Sequence, residues 1–127
     1  MELDKPKVDF VILSWNRPKV TIDAVQSVLA QKGIRPQVWV VDQGSAPDTL
    51  VELQNYVQSQ EQIELVELEK NYGVAAGRNI GIALGSADFI VSIDNDAVLS
   101  SPNEIVKAVN RMKEGPTLAV IGFCILN

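Results

Sequence analysis

Phe89-Ile90-Val91-Ser92-Ile93-Asp94-Asn95-Asp96 is an apolar, strand-like run that stops on two carboxylates separated by one residue. A buried strand carries such an ending only if its acidic end emerges from the sheet, because an unpaired buried carboxylate costs several kcal/mol or takes up a proton. In an open α/β sheet, the edge at the carboxyl ends of the strands is where ligands bind. Two carboxylates placed there can turn toward one cation, and oxygen donors of this kind suit Mg²⁺ or Mn²⁺ shared with phosphates. The alternative is a solvated turn, since Asn and Asp favour turns for their own backbone hydrogen bonds. Asp-x-Asp by itself does not separate the two readings.

Working outward, strands and helices alternate. Val8 to Ser14 is rich in β-branched residues and reads as a buried first strand, ending at Ser14-Trp15-Asn16-Arg17-Pro18. Pro18 suits the first turn of a helix, in which Val20, Ala24, Val25, Val28 and Leu29 recur at helical spacing until Gly33. Gln37 to Val41 is a second strand that stops on Asp42, and Pro47-Asp48 opens a helix to about Gln60. Ile63 to Leu68 alternates apolar and acidic residues, the pattern of an edge strand with one wet face. The small-residue stretch Asn71 to Asn79 runs into a helix that Gly85 ends, before the strand described first. Ser101-Pro102-Asn103-Glu104 has the spacing of a capping box with proline at the first helical position, and Thr117 to Leu126 reads as a last apolar strand.

This β-α alternation predicts a Rossmann-like three-layer α/β/α domain spanning residues 1–127, with a mostly parallel sheet of order 3-2-1-4 plus the last strand. That order has a consequence for function. Ser14-Trp15-Asn16, Asp42 and Asp94-Asn95-Asp96 would all converge on the crevice where the direction of winding reverses.

Composition narrows the chemistry. The 127 residues suffice for one domain with a core, and 46% apolar with only 6% aromatic residues fits the aliphatic interior of a parallel sheet. A net charge of −5 argues against a nucleic-acid footprint. The lone Cys124 excludes an internal disulfide and is expected to pack as a small hydrophobe. With no histidine, catalysis must rest on carboxylates and a cation. The charged start and the shortness of the apolar runs predict neither a secretory leader nor a transmembrane segment, and hence a cytoplasmic chain.

Ser14 to Pro18 lacks the Gly-x-Gly-x-x-Gly of a dinucleotide site, and no Gly-Lys-Ser/Thr supplies a P-loop. A phosphoacceptor receiver domain would want acids where Trp15 and Asn16 stand. The crevice instead suits a nucleoside diphosphate. Trp15 can lie against a base, with stacking worth roughly 1–3 kcal/mol, or pack in the core. Asp42 can accept from a base N–H or cap the loop toward Pro47. Arg78, at a helix start among small residues, can face an anion or form a surface ion pair. Gly73, Ala75, Ala76 and Gly77 leave room for a ligand or for close packing of helix on sheet.

Four blocks, Val8 to Pro18, Val40 to Ser45, Asn71 to Gly81 and Ile93 to Asp96, resemble in order and spacing the N-terminal half of a family 2 glycosyltransferase with the GT-A fold. That resemblance implies a transferase binding a nucleoside-diphosphate sugar, UDP-linked by expectation, through Mn²⁺ or Mg²⁺, and transferring the sugar with inversion to an acceptor hydroxyl. It implies Asp94 and Asp96 as the metal-binding Asp-x-Asp, Asp94 being shared with the ribose. Ser14, Trp15, Asn16, Asp42, Arg78 and Asn95 are implied as substrate contacts. Leu13, Trp15 and Gln43 stand where Pro, Tyr and a second Asp are common, which bears on base identity more than on fold. Family members run longer and carry the acceptor site and catalytic base in their second half. By that resemblance no catalytic residue falls within this stretch, and the base is expected after Asn127. The chain is therefore expected to be a donor-binding fragment, peripheral at a membrane in its full-length form, that transfers little sugar alone. Thr117 to Leu126 is expected to be left unpaired or to pair with another copy. Two other functions fit the crevice: a non-catalytic interaction module, and a metal-dependent nucleotidyltransferase.

Overall fold

A computed structural model of the chain describes residues 4–126. Asn127, after which the catalytic base is expected, lies outside the described residues. The elements run β1 (Lys7–Ser14), α1 (Pro18–Leu29), β2 (Arg35–Gln43), α2 (Pro47–Val57), β3 (Ile63–Leu68), α3 (Val74–Leu84), β4 (Phe89–Ile93) and α4 (Glu104–Glu114). The four strands form one parallel sheet in the order β3-β2-β1-β4. Winding proceeds outward from β1 through β2 to β3, then returns past β1 to β4, so the reversal falls between β1 and β4.

Strand periodicity decides which helices lie where, since successive side chains point to opposite faces. Val8, Phe10 and Ile12 of β1, with Val38 and Val40 of β2, face a core built with Ala24, Val25 and Val28 of α1 and with Ile105 and Val109 of α4. Tyr56 and Val57 of α2 pack against the same cluster. Each fully buried Val, Ile or Phe contributes about 1.5–3 kcal/mol relative to exposure. This face therefore carries most of the hydrophobic stabilisation. The opposite face belongs to α3. There, Gly81 sits so close that a Cβ would lie 2.4 Å from Val11 Cγ1 and 3.1 Å from Val41 Cγ2. Because α3 lies over β1 and β2, Ile90 on β4 stays 47% exposed.

Asp9 is buried on the α3 face of the sheet. Asp9 accepts from the backbone N–H of Ala87 at 2.9 Å and from Trp39 Nε1 at 3.4 Å, which offsets its desolvation. A Cβ at Gly85 would fall 2.0 Å from Asp9 Oδ2, so glycine there makes the joint between α3 and β4 possible.

Three expectations are corrected. Thr117 to Leu126 forms no strand: of these residues only Leu118 makes a backbone hydrogen bond in a turn, to Gly115 O. A strand exists only through a paired neighbour, and apolar composition specifies preference without supplying one. Val120, Ile125 and Leu126 are left exposed, and Cys124 with them, so the cysteine does not pack in the core. The capping box also fails. Ser101 Oγ donates to the Glu104 carboxylate at 2.7 Å, Pro102 lies in the preceding turn, and α4 starts at Glu104 with Asn103 as N-cap. The orphan N–H of Ile105 is capped instead by Gln31 Oε1 at 3.2 Å. A side chain from the end of α1 thus replaces the local cap.

Candidate functional site

Three strand ends finish at one level. Ser14 is opposite Asp42 and Ile12 opposite Ile93, so the residues following β1, β2 and β4 share the carboxyl edge. Asp42 is fully buried, and its two oxygens accept from Ser45, one from the backbone N–H at 2.9 Å and one from Oγ at 2.5 Å. Asn16 fastens the β1–α1 loop to the same turn. Its N–H donates to Ser45 Oγ at 2.8 Å, and its Oδ1 accepts from Ala46 N–H at 2.8 Å and from Thr49 Oγ1 at 3.3 Å. Its φ of 53° lies in the left-handed region, which Asn tolerates better than most residues. Asn16 thereby holds its neighbour Trp15 at the rim, 53% exposed and out of the core.

The acidic turn closes with Ala97 N–H donating to Asp94 O at 3.1 Å. Arg78 Nη2 pairs with Asp94 Oδ1 at 2.5 Å, and Arg17 Nη1 stands 3.8 Å from Asp96 Oδ2. These four side chains are between 35% and 68% exposed. Exposed pairs of this kind are worth about 0–1 kcal/mol, so a ligand can exchange their partners at small cost. Arg78 is the fifth residue of α3 and reaches back along the helix. The free N–H groups of the first turn belong to Val74, Ala75 and Ala76, because Gly77 N–H already bonds Gly73 O at 3.0 Å.

The β3–α3 loop packs against the same edge. Gln43, 4% exposed, accepts from Tyr72 N–H at 3.1 Å, and Gly77 packs so near that an added Cβ would lie 3.0 Å from the Gln43 amide. Gly44, at φ +72°, lets the Lys70 backbone approach so closely that a Cβ would meet Lys70 Cα at 2.7 Å. Tyr72 donates its hydroxyl to Glu69 Oε1 at 2.8 Å, and ionising beside that carboxylate is disfavoured, so its pKa rises above the ordinary 10. Lys70 Nζ lies 5.1 Å from the centre of the Tyr72 ring.

The donor set suits one type of ion. Among the described residues no group of three or more His, Cys, Asp or Glu side chains is placed to hold a metal. Mg²⁺ and Mn²⁺ are commonly held by one or two carboxylates completed by phosphate oxygens and water. Asp94 and Asp96, separated by one residue and exposed, fit that arrangement and do not fit a self-contained cage.

Every residue singled out from the sequence lies at this edge. Ser14, Asn16 and Asp42 are joined by register and hydrogen bonds, Arg78 and Asp94 by an ion pair, and Asn95 reaches Ser14 through one intermediary, Thr21. Four further residues were not legible as site residues: Arg17, Thr21, Gln43 and Ser45. Arg17 and Thr21 read as ordinary parts of a helix start, and Gln43 and Ser45 act through contacts some 30 residues away. Two open cavities lie at the opposite edge of the sheet, one beside Lys32, Arg35 and Gln62 and the other beside Lys7, Phe89 and Lys113.

The sequence profile of glycosyl transferase family 2 matches residues 9–126. The chain belongs to glycosyl transferase family 2. Among its curated family 2 relatives, the succinoglycan biosynthesis protein ExoO of Rhizobium meliloti is 30% identical over 110 residues, covering 86% of this chain and 31% of ExoO. The mannosyltransferase PcManGT from Pyrobaculum calidifontis, solved in complex with GDP-Man and Mn²⁺, superposes with a TM-score of 0.77 at 20% identity, covering 85% of this chain and 32% of that one. TarS 1-349 from S. aureus, solved in complex with UDP-GlcNAc, gives 0.73 at 21% identity over 85% of this chain and 31% of that one. These two likenesses show a shared GT-A-type, Rossmann-like fold. The family 2 chain spans about a third of the length of these proteins.

Proposed function

We propose that this chain forms the donor-binding part of a longer inverting glycosyltransferase and grips a nucleoside-diphosphate sugar, UDP-linked, through a divalent cation. The observation that carries this reading is the meeting of three strand-end clusters and Arg78 at one edge, where two exposed carboxylates form exchangeable ion pairs. The structural neighbours crystallised with GDP-Man and Mn²⁺ and with UDP-GlcNAc support it.

In this reading Asp96 and Asp94 would hold Mn²⁺ or Mg²⁺, and their present partners Arg17 and Arg78 would serve the phosphates, with which a guanidinium can pair bidentately. The bound ion supplies neutralisation of the charge that develops on the departing diphosphate. Trp15 offers its exposed ring to the base. Asp42 has lone pairs to spare beyond its two bonds to Ser45, but it is fully buried and would accept from a base N–H only once the Ser45 turn shifts. Asn16 and Ser45 hold those two residues in register. In this reading the base that deprotonates an acceptor hydroxyl lies outside this stretch, which spans about a third of the length of its relatives, and the chain alone is expected to transfer little sugar.

Calorimetric titration with UDP, a UDP-sugar and UTP, each with MnCl₂ and with EDTA, tests this. The expected result is saturable binding of UDP and the UDP-sugar with Mn²⁺, lost in EDTA. Equal affinity with EDTA would remove the metal from the reading, and a clear preference for UTP would point to nucleotidyl transfer. In the same assay Trp15→Ala should weaken UDP about tenfold or more, the equivalent of one stacked base. An unchanged affinity would place the base elsewhere.

A further inference from the structure

Thr21 joins the acidic turn to the first strand and the first helix, and it does so with every hydrogen-bonding valence of one hydroxyl. It is fully buried on α1. Its Oγ1 lies 2.9 Å from Arg17 O, 3.0 Å from Ser14 Oγ and 3.3 Å from Asn95 Nδ2. A hydroxyl has one proton to give and two lone pairs to fill. Arg17 O only accepts, so Thr21 spends its proton there. Ser14 Oγ and Asn95 Nδ2 must then both donate into Thr21. The set is closed, in keeping with the absence of any buried side-chain polar atom without a partner among the described residues.

We infer that Thr21 is the positioning residue of the acidic turn, and that Asn95 acts as the tether of that turn to α1 rather than as a ligand contact. Asn95 sits between Asp94 and Asp96, so fixing its side chain inward fixes the turn from which both carboxylates project. Apart from the turn's own Ala97 N–H bond to Asp94 O and the Leu99 N–H bond to Ser27 Oγ just beyond it, each 3.1 Å, the turn is held by the pairs of Asp94 with Arg78 and of Asp96 with Arg17, which are surface pairs. Arg17 itself is held at the same point, since its carbonyl takes both the Thr21 hydroxyl and the Thr21 N–H, the latter at 3.1 Å. One buried oxygen therefore sets the places of Asn95, Arg17 and Ser14 together.

The inference rests on the proposed metal-dependent donor binding, but the tether can be read without metal. Thr21→Val keeps the side-chain shape and removes the hydroxyl, whereas Thr21→Ser keeps the hydroxyl and removes the methyl. Hydrogen exchange on the metal-free chain should show loss of protection at the Ala97 N–H in Thr21→Val, with the β1 and β2 amides as internal reference, and near-native protection in Thr21→Ser. With MnCl₂ and UDP, at a temperature where all variants are folded, Thr21→Val should weaken Mn²⁺ binding about 10-fold or more, the scale of outer-shell substitutions, and Thr21→Ser should stay near wild type. Native exchange at the turn in Thr21→Val, or equal losses in both variants, would overturn the assignment. If wild type itself binds no Mn²⁺, the donor-binding reading fails while the exchange result still decides on the tether.

Discussion

Asp96→Ala is expected to reduce Mn²⁺-dependent UDP binding by at least about 100-fold, and Asp94→Ala with Asp96→Ala to abolish it. Losing outer-shell partners alone costs roughly 10- to 100-fold in metal affinity, so losing a ligand sets a larger floor. The same substitutions should barely touch folding. Both carboxylates are well exposed and their arginine partners remain solvated, so the change in stability should stay under about 1 kcal/mol. The pairing of collapsed binding with an unmoved urea midpoint separates a ligand-gripping acid pair from a structural turn. If both variants bind UDP and Mn²⁺ as wild type does, the Asp-x-Asp is only a turn.

Gly81→Val should produce the opposite pattern, a large loss of stability that carries function with it. The first added carbon already meets Val11 Cγ1 at 2.4 Å and Val41 Cγ2 at 3.1 Å, and both neighbours are buried strand residues that cannot step aside. Helix α3 must lift from the sheet, at a cost of about 1–3 kcal/mol for overpacking or more. Lifting it also withdraws Arg78 from Asp94. Urea denaturation should show a lower midpoint, and UDP affinity should fall even where the protein remains folded. Gly122→Ala is the control, because a Cβ there meets nothing within 4 Å; its stability should stay within about 0.5 kcal/mol of wild type. A native midpoint for Gly81→Val would mean that α3 does not sit on β1 and β2 as closely as described.

What could be read from the sequence follows the range over which each signal acts. Strand order and the carboxyl-edge placement of Ser14, Asp42 and Asp94 were legible because periodicity and crossover handedness are properties of short segments in series. β3 is the edge strand as expected, but Glu64 and Glu67 are three residues apart and fall on opposite faces, so the two exposed acids do not mark a single wet face. Thr117 to Leu126 was misread as a strand because composition reports preference and a strand needs a partner. The start of α4 was misplaced because its cap comes from Gln31, 74 residues before Ile105. Thr21 was missed for the same reason. A threonine in a helix's first turns looks ordinary until Asn95, 74 residues later, is laid against it. Local chemistry could be read locally, and contacts between distant segments could not.

Paramagnetic broadening of backbone amide resonances by Mn²⁺ in the presence of UDP tests most directly whether these segments form one metal-and-diphosphate site. Broadening should concentrate at Asp94 to Ala97, with Trp15 to Arg17 and the first turns of α3 next, and should spare the opposite edge around Lys7, Lys32 and Arg35. Broadening centred on that opposite edge, or spread evenly over the surface, would mean that the acidic turn and its neighbours do not hold the ion.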